Sequence, residues 1–429
     1  MGFEWDVSLA IQSWVCCQLG AREHYAVPRA LHIRRALGQL LTDAWVRPRN
    51  PVGWLRQSLR ERFHPALAGA PVKAWTLGLL AFEIMARARR LGGWPLIVAR
   101  NEWFQKRVLQ KLKTETLKAE IRRAWSPHPS VQPSTGNSQP ILFSYGYTAL
   151  RPFRLAKAKG WRTLLGQIDG GLGEEKLMAA LHRQTDGAAE AWSAAPPAYW
   201  QGWREECSLA DVIVVNSQWS RELLAREGIA ESKVHVIPLA YEPPAEAAAF
   251  ERRYPSAFTA ARPLRVLFLG QVGLRKGARE IFQAAALLGD QPVEFWLVGP
   301  LLLDVPPELP GRHLVRCFGP VPRGQVAEWY RRADVFLFPT HSDGFGLTQL
   351  EAQAWRLPVI TTRFCGEVVE HGRNGLILER VDGPTIAEAV RSLARWPERL
   401  AELSGSSRVA SRFSLANIAQ ALETAALAP

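Results

Sequence analysis

A chain of 429 residues is long enough for two or three domains with ample core, which excludes a peptide hormone or a disulfide miniprotein. Its 47% hydrophobic and 22% charged residues are ordinary globular values and exclude large-scale disorder. Lys+Arg 53 against Asp+Glu 40 leaves a net charge of +13, and a surface that basic draws nucleic acid, anionic lipid headgroups or phosphorylated small molecules. The opening MGFEWDVSLAIQSW lacks a basic stretch followed by an apolar run, so no signal peptide is expected. The cysteines Cys16, Cys17, Cys207, Cys317 and Cys365 form no CxxC pair and are odd in number. They suggest neither a zinc site nor a disulfide framework and point to a reducing, cytoplasmic compartment.

From Ser13 the text SWVCCQLG, AVPRALHIRRAL and QLLTD predicts a strand, a glycine turn, a helix and a second short strand. Residues from about 53 to 123, rich in Arg, Trp and Leu at helical spacing, read as inserted helices, and residues 127–140 as a loop. Within the insertion, PVKAWTLGLLAFEIMARARRLGGW reads as a helix that fills the core. Contact of its Arg87, Arg89 and Arg90 with an anionic membrane, at the inner face, is the alternative. Its apolar run falls well short of the ~20 residues that cross a bilayer.

Further β-α units follow in ILFSYGYTALRPFRLAKAKG, WRTLLGQIDGG, DVIVVNSQWSRELLAREG and VHVIPLA. The wholly apolar Val212 to Val215 implies a parallel sheet covered on both faces. The proline-bounded stretch Tyr241 to Arg262 reads as a linker between an N-terminal domain over 1–240 and a C-terminal domain over 263–412. The second domain carries six strand-like runs, LRVLFLG, VEFWLVG, LVRCFG, VFLFPT, PVITT and GLILE, separated by helical stretches. That alternation predicts a doubly wound α/β domain, and residues 413–429 a terminal helix. Two such domains in tandem set the carboxyl ends of their strands across a cleft.

Four motifs fall at strand ends. HSDGFGLTQLEAQAW follows VFLFPT and places Asp343 eight residues before Glu351. Gly344 and Gly346 permit close backbone approach, so the N–H groups of Gly346, Leu347 and Thr348 would face an anion. Glu351 would accept the hydroxyls of a vicinal diol, and Asp343 those of a sugar. The plain alternative is a loop with a capping Asp343 and a solvated Glu351. LGQVGLRKGARE follows LRVLFLG and sets Arg275 and Lys276 where a helix begins, suited to a diphosphate or simply a basic loop. CCQLGAREHYAVPRAL carries Arg22, Glu23 and His24 after the Gly20 turn, though a loop histidine is more often structural. LLGQIDGG ends a strand at Asp169, whose plain reading is a turn aspartate. No HExxH, GxSxG, GxxxxGK[ST], zinc-finger spacing or DxD pair occurs, so metal, serine-hydrolase and P-loop chemistries lose support and no metal site is expected.

Taken in order, FLGQVGLRKGARE, FWLVGP, ADVFLFPTHSDGFGLTQLEAQAWRLPVITT and VVEHGRNGLIL resemble the retaining glycosyltransferases of family 4, which have the GT-B fold of two Rossmann-like domains. The resemblance is close over about 264–412 and looser in the N-terminal half, through Gly20 and ADVIVVNSQWSRELL. It implies transfer of a hexose from a UDP- or GDP-linked sugar to a saccharide or lipid-linked acceptor, without a metal ion or permanently bound cofactor. Glu351 would then bind ribose, Asp343 the donor sugar, and Lys276, Phe345, Gly346, Leu347 and Thr348 the diphosphate, with the base near Phe318 to Val321. Arg275, Gln271 and Gly20 complete the donor set, while Arg22, His24, Tyr147 and Asp169 are candidates on the acceptor side. Asp343, Lys276, Asp169 and His24 are the candidate catalytic groups. In such enzymes an oxygen of the leaving phosphate is thought to help take the acceptor's proton.

Three positions depart from the family: Asp343 stands where Glu is usual, Gln271 where Arg is usual, and Ile168 where a histidine precedes Asp169. Arg275 is the expected substitute for the missing arginine. Two rival readings remain, a catalytically weak partner protein of the same fold and a basic nucleic-acid-binding protein. The second is disfavoured because the aromatics lie in apolar runs instead of alternating with Lys and Arg.

Overall fold

The computed structural model describes residues 13–48, 50–54, 57–114, 140–185 and 192–428. The first twelve residues, nearly all of the loop expected at 127–140 and the end of the expected insertion lie outside them. The N-terminal sheet has seven strands: β1 Trp14–Gln18, β2 Leu37–Thr42, β3 Val72–Ala74, β4 Ile141–Tyr145, β5 Arg162–Gln167, β6 Val212–Val215 and β7 Val234–Val236. Their order is β3-β2-β1-β4-β5-β6-β7, and every pairing is parallel. All residues of β1, β4 and β6 are buried, as strands covered by helices on both faces must be.

The second sheet holds β8 Leu264–Leu269, β9 Val293–Val298, β10 Val315–Gly319, β11 Val335–Phe338, β12 Val359–Thr362 and β13 Gly375–Leu378. It runs β10-β9-β8-β11-β12-β13, again parallel throughout. The molecule is therefore two doubly wound α/β domains. In each sheet the strand order reverses between two central neighbours, β1 and β4 in one and β8 and β11 in the other. A crevice opens where the connections leave in opposite directions. The loops after β1, β4, β8 and β11 are the segments that carry Glu23, Tyr147, Lys276 and Asp343.

Three features differ from the sequence reading. The expected helical insertion begins with the edge strand β3, paired with β2 through Leu40, Leu41 and Thr42. Three residues are too few to show a strand periodicity. Its helix Thr76–Ala88 buries Leu79, Phe82 and Ala86 but leaves Leu77 and Ile84 about three-quarters and two-thirds exposed, at 74% and 68%. That helix is core on one face only.

The expected linker is not free. Phe258 enters the core around β8, while Ala247 joins the cluster of Trp355 and Tyr330. Arg252 donates to the carbonyls of Tyr330 and Trp355, and Arg262 makes a two-pronged pair with buried Asp334 at 2.7 Å.

The terminal helix Leu415–Leu427 crosses back and packs Ile418, Leu422 and Ala425 into the N-terminal core beside Leu31 and Val214. The chain thus passes between domains twice, and the two passages are joined where Tyr241 N donates to Phe413 O at 2.9 Å.

Candidate active site

The loop after β8 turns through Gly270 and Gly273 into a short 3-10 turn, Leu274–Lys276, before the helix Ala278–Leu288. The loop after β11 runs 339–347 into the helix Thr348–Ala354. Between them and the N-terminal domain lies a cavity of about 250 Å³. Lys276, Asp343, Gly346, Leu347 and Thr348 line its C-terminal wall, and Glu23, Ile168, Asn216 and Leu239 its N-terminal wall.

Lys276 is the centre of the C-terminal wall. Its ammonium contacts Asp343 Oδ2 and lies 4.6 Å from the centroid of the Phe338 ring. Burial and the neighbouring Arg275 guanidinium push it down to about 7, against the pull of Glu174. Asp343 Oδ1 accepts from Phe345 N at 3.0 Å, which bends the loop toward the helix. Gly346, at φ +79°, holds a left-handed conformation, and a Cβ there would meet the Phe338 ring at 2.5 Å. The N–H groups of Gly346, Leu347 and Thr348 have no acceptor among the described residues, and the buried Thr348 Oγ1 has no partner either. An ammonium, open N–H groups and an unpaired hydroxyl around one cavity suit an anion.

Glu351 sits outside the cavity wall, one turn further along the helix. Its Oε2 accepts from Tyr330 Oη at 2.8 Å, and burial raises its pKa against the pull of that bond and of Arg323. Nearby Phe318, 41% exposed, packs on Trp329 with ring centroids 4.4 Å apart and leaves an apolar face open.

Next to Ile168 of the N-terminal wall lies a network around Asp169. Its Oδ1 accepts from Tyr147 Oη at 2.6 Å, Gln167 Nε2 at 2.7 Å and Gly171 N at 3.0 Å. Gln167 is held in turn by Trp203 Nε1 at 3.0 Å. Behind it, buried Glu206 accepts from the backbone N–H of Tyr147, Ala149 and Leu150, which fixes the left-handed backbone of Tyr147 at φ +72°.

Several expected donor residues are placed elsewhere. Gln271 is exposed and does not line the cavity. Arg275 does not replace it there: Nη1 donates to Ser342 O at 3.0 Å and lies 3.6 Å from Glu174 Oε1 of the N-terminal domain. The same Nη1 lies 3.7 Å from Asp343 Oδ2, so Arg275 stands beside the site and joins the domains at once. Gly20 also stands off, its N–H donating to Asp43 Oδ1 at 3.0 Å, so it anchors the loop. His24 contacts Arg323 across the cleft, and burial with that guanidinium lowers its pKa to about 4. Among the described residues no group of three or more His, Cys, Asp or Glu is placed to hold a metal ion.

Pattern reading did not single out Glu174, Asn216 or Ser342. Ser342 Oγ donates to Glu174 Oε2 at 2.8 Å and accepts from Trp219 Nε1 at 3.0 Å, so one hydroxyl ties two N-terminal elements to the C-terminal loop. Gly344 rests directly on the N-terminal domain: a Cβ there would lie 1.9 Å from Ile168 O. Such contacts between domains leave no local spacing in a sequence.

Residues 263–395 match the family described as Glycosyl transferases group 1. D-inositol 3-phosphate glycosyltransferase of Thermobispora bispora is 33% identical over 167 residues, 34% of this chain and 39% of the relative. The enzyme of the same name from Xylanimonas cellulosilytica is 30% identical over 234 residues, 49% of this chain and 55% of the relative. The aligned region thus spans about half the length of these curated relatives or less. In three dimensions the chain is similar to Anabaena HepE in complex with UDP, at a TM-score of 0.59 and 16% identity, covering 96% of this chain and 98% of that one. It is also similar to sucrose-phosphate synthase from Thermosynechococcus elongatus, at a TM-score of 0.56 and 17% identity with the same coverage. The fold is GT-B, and residues 263–395 form a domain of the glycosyl transferases group 1 family.

Proposed function

We propose that the chain is a metal-independent, retaining hexosyltransferase that moves a sugar from a UDP- or GDP-linked donor to a saccharide or lipid-linked acceptor. The cavity carries this reading: Lys276, the open N–H groups of 346–348 and the unpaired Thr348 hydroxyl surround one space between two α/β domains. Breaking a glycosyl–diphosphate bond leaves negative charge on the phosphate, and these donors meet it without reorganising. Asp343, beside Lys276, is the group for the sugar hydroxyls. Glu351 serves the ribose with the oxygen that Tyr330 leaves free, and the open face of Phe318 serves the base. UDP in the complex of the similar Anabaena HepE supports a nucleotide donor.

On the acceptor side, Asp169 Oδ1 holds Tyr147, Gln167 and Gly171 together, which suits a group that orients the loops beside the cavity. The expected test is a rise in melting temperature with UDP or GDP, together with release of that nucleotide from its hexose conjugate. A chain unmoved by both nucleotides and inert toward every conjugate would refute the assignment.

A lipid-linked acceptor draws support from a second observation. On the helices Thr76–Ala88 and Gly93–Lys113, Leu77, Ile84, Met85 and Ile97 are exposed, and the stretch 76–113 holds eight basic against two acidic residues. Apolar side chains ringed by cations suit a bilayer with anionic headgroups. None of the described helices is long and apolar enough to cross a membrane. Flotation with anionic vesicles, lost at high salt and in Leu77→Ser/Ile84→Ser, is the expected result, whereas no flotation on any vesicle excludes the contact.

A further inference from the structure

Glu174 stands in the first turn of the N-terminal helix Gly171–Arg183, yet its carboxyl group is directed at the other domain. Oε2 accepts from Ser342 Oγ at 2.8 Å, and Oε1 lies 3.6 Å from Arg275 Nη1. The same guanidinium nitrogen lies 3.7 Å from Asp343 Oδ2 and donates to Ser342 O at 3.0 Å. One cation thus sits between a carboxylate of each domain. The Glu174 side chain is only 15% exposed, so these charges act on one another through little water.

The rest of the helix agrees with this placement. Just past its end, Thr185 Oγ1 accepts at 2.8 Å from Nη1 of Arg279, on the helix that follows Lys276. Helix Gly171–Arg183 is therefore tied at both ends to the segment that carries Arg275 and Lys276. Ser342 is fully buried, and its hydroxyl also accepts from Trp219 Nε1 at 3.0 Å, which leaves it one orientation.

We propose that Glu174 is a positioning residue with two opposed effects: it holds the Asp343 loop in the closed arrangement of the domains, and its charge loosens the grip on the diphosphate so that the nucleotide product can leave. The inference rests on the glycosyl-transfer reading above. The first effect runs through the chain. Ser342 and Asp343 are consecutive, so the hydroxyl bond to Glu174 and the carbonyl bond from Arg275 fix the backbone from which Asp343 reaches the cavity. A shift of about 1 Å between reacting groups is enough to slow a reaction by about 10²-fold. The second effect runs through charge. Glu174 favours the ammonium form of Lys276 against burial and Arg275, so it competes with a diphosphate for both cations. Product release limits many enzymes that close around their substrates, and an anion beside the phosphate site hastens it.

The test uses the full chain, with UDP and GDP in titration calorimetry and UDP-glucose and GDP-mannose in donor hydrolysis. Glu174→Gln keeps an acceptor for Ser342 and removes the charge. It is expected to bind the nucleotide about 5-fold more tightly while kcat falls by about 10-fold or more. Glu174→Ala carries the same expectation if Glu174→Gln fails to fold. Ser342→Ala removes the tie and leaves the charge, so kcat should fall with nucleotide affinity unchanged. Wild-type kcat in Glu174→Gln, or nucleotide affinity unchanged or weakened there, would overturn the proposal. A lower melting temperature and lower kcat without tighter binding is the mark of a merely structural contact and overturns it too, as does wild-type kcat in Ser342→Ala. A wild-type chain inert toward both donors and unshifted by UDP and GDP is the separate failure of the transfer reading itself.

Discussion

Lys276→Ala is expected to cut turnover of the nucleotide sugar by roughly 10²–10³-fold, the usual consequence of removing a preorganised charge from a developing oxyanion. The loss exceeds that of one ammonium, because Asp343 would then keep only Arg275, 3.7 Å away, as a neighbouring cation in the cavity proposed for the diphosphate. Two anions at contact distance in a partly buried site repel by several kcal/mol, about 4 at an effective dielectric near 20. The double variant Lys276→Ala/Asp343→Asn should therefore bind UDP more tightly than the single variant, although it remains slow. Titration calorimetry with UDP, alongside donor-hydrolysis kinetics, reads both effects. A single variant with wild-type turnover would remove the phosphate role from Lys276.

Gly344→Ala is expected to act on domain closure. The added Cβ would lie 1.9 Å from Ile168 O, a backbone atom of the opposite domain that cannot yield as a flexible side chain can. The neighbouring ties from Ser342 to Glu174 and Trp219 must lengthen with it. The C-terminal wall, with Lys276 and the 346–348 loop, stays intact, so UDP affinity should change little. Turnover should fall by about 10²-fold, since a displacement of about 1 Å between reacting groups costs that much. Small-angle scattering with bound UDP should show a wider particle than the wild type. Wild-type kinetics would mean that the closed contact at Gly344 is not the catalytic arrangement.

The parallel sheets were legible because their chemistry is local. Val212 to Val215 is apolar on both sides and became a fully buried strand, and Leu264 to Leu269, apolar but for Arg265 and followed by Gly270, became a largely buried one. The Asp343 to Glu351 segment was legible for the same reason, since loop glycines and a helix start lie within nine residues. Where a signal was shorter than its period it failed, as with Val72–Ala74, read into a helical insertion and found as an edge strand. Arg275 carries a contact that no spacing shows. Its spacing suits a phosphate, and the tertiary structure adds Glu174 of the other domain at 3.6 Å to Asp343 at 3.7 Å.

By itself the sequence determined two doubly wound domains, a basic balance and a loop chemistry suited to an anion, all properties of residues close together in the chain. The tertiary structure decided which of those residues share a cavity. It placed Lys276, Asp343 and Thr348 opposite Glu23 and left Gly20 and Gln271 off the cavity lining. It also returned the last helix, Leu415–Leu427, to the first domain, so the two passages of chain lie bonded side by side. The physical reason is range. Strand and loop preferences are fixed by neighbours in sequence, whereas the occupancy of a cleft depends on contacts between groups as far apart as 168 residues in Ser342 and Glu174 and 299 in Arg323 and His24.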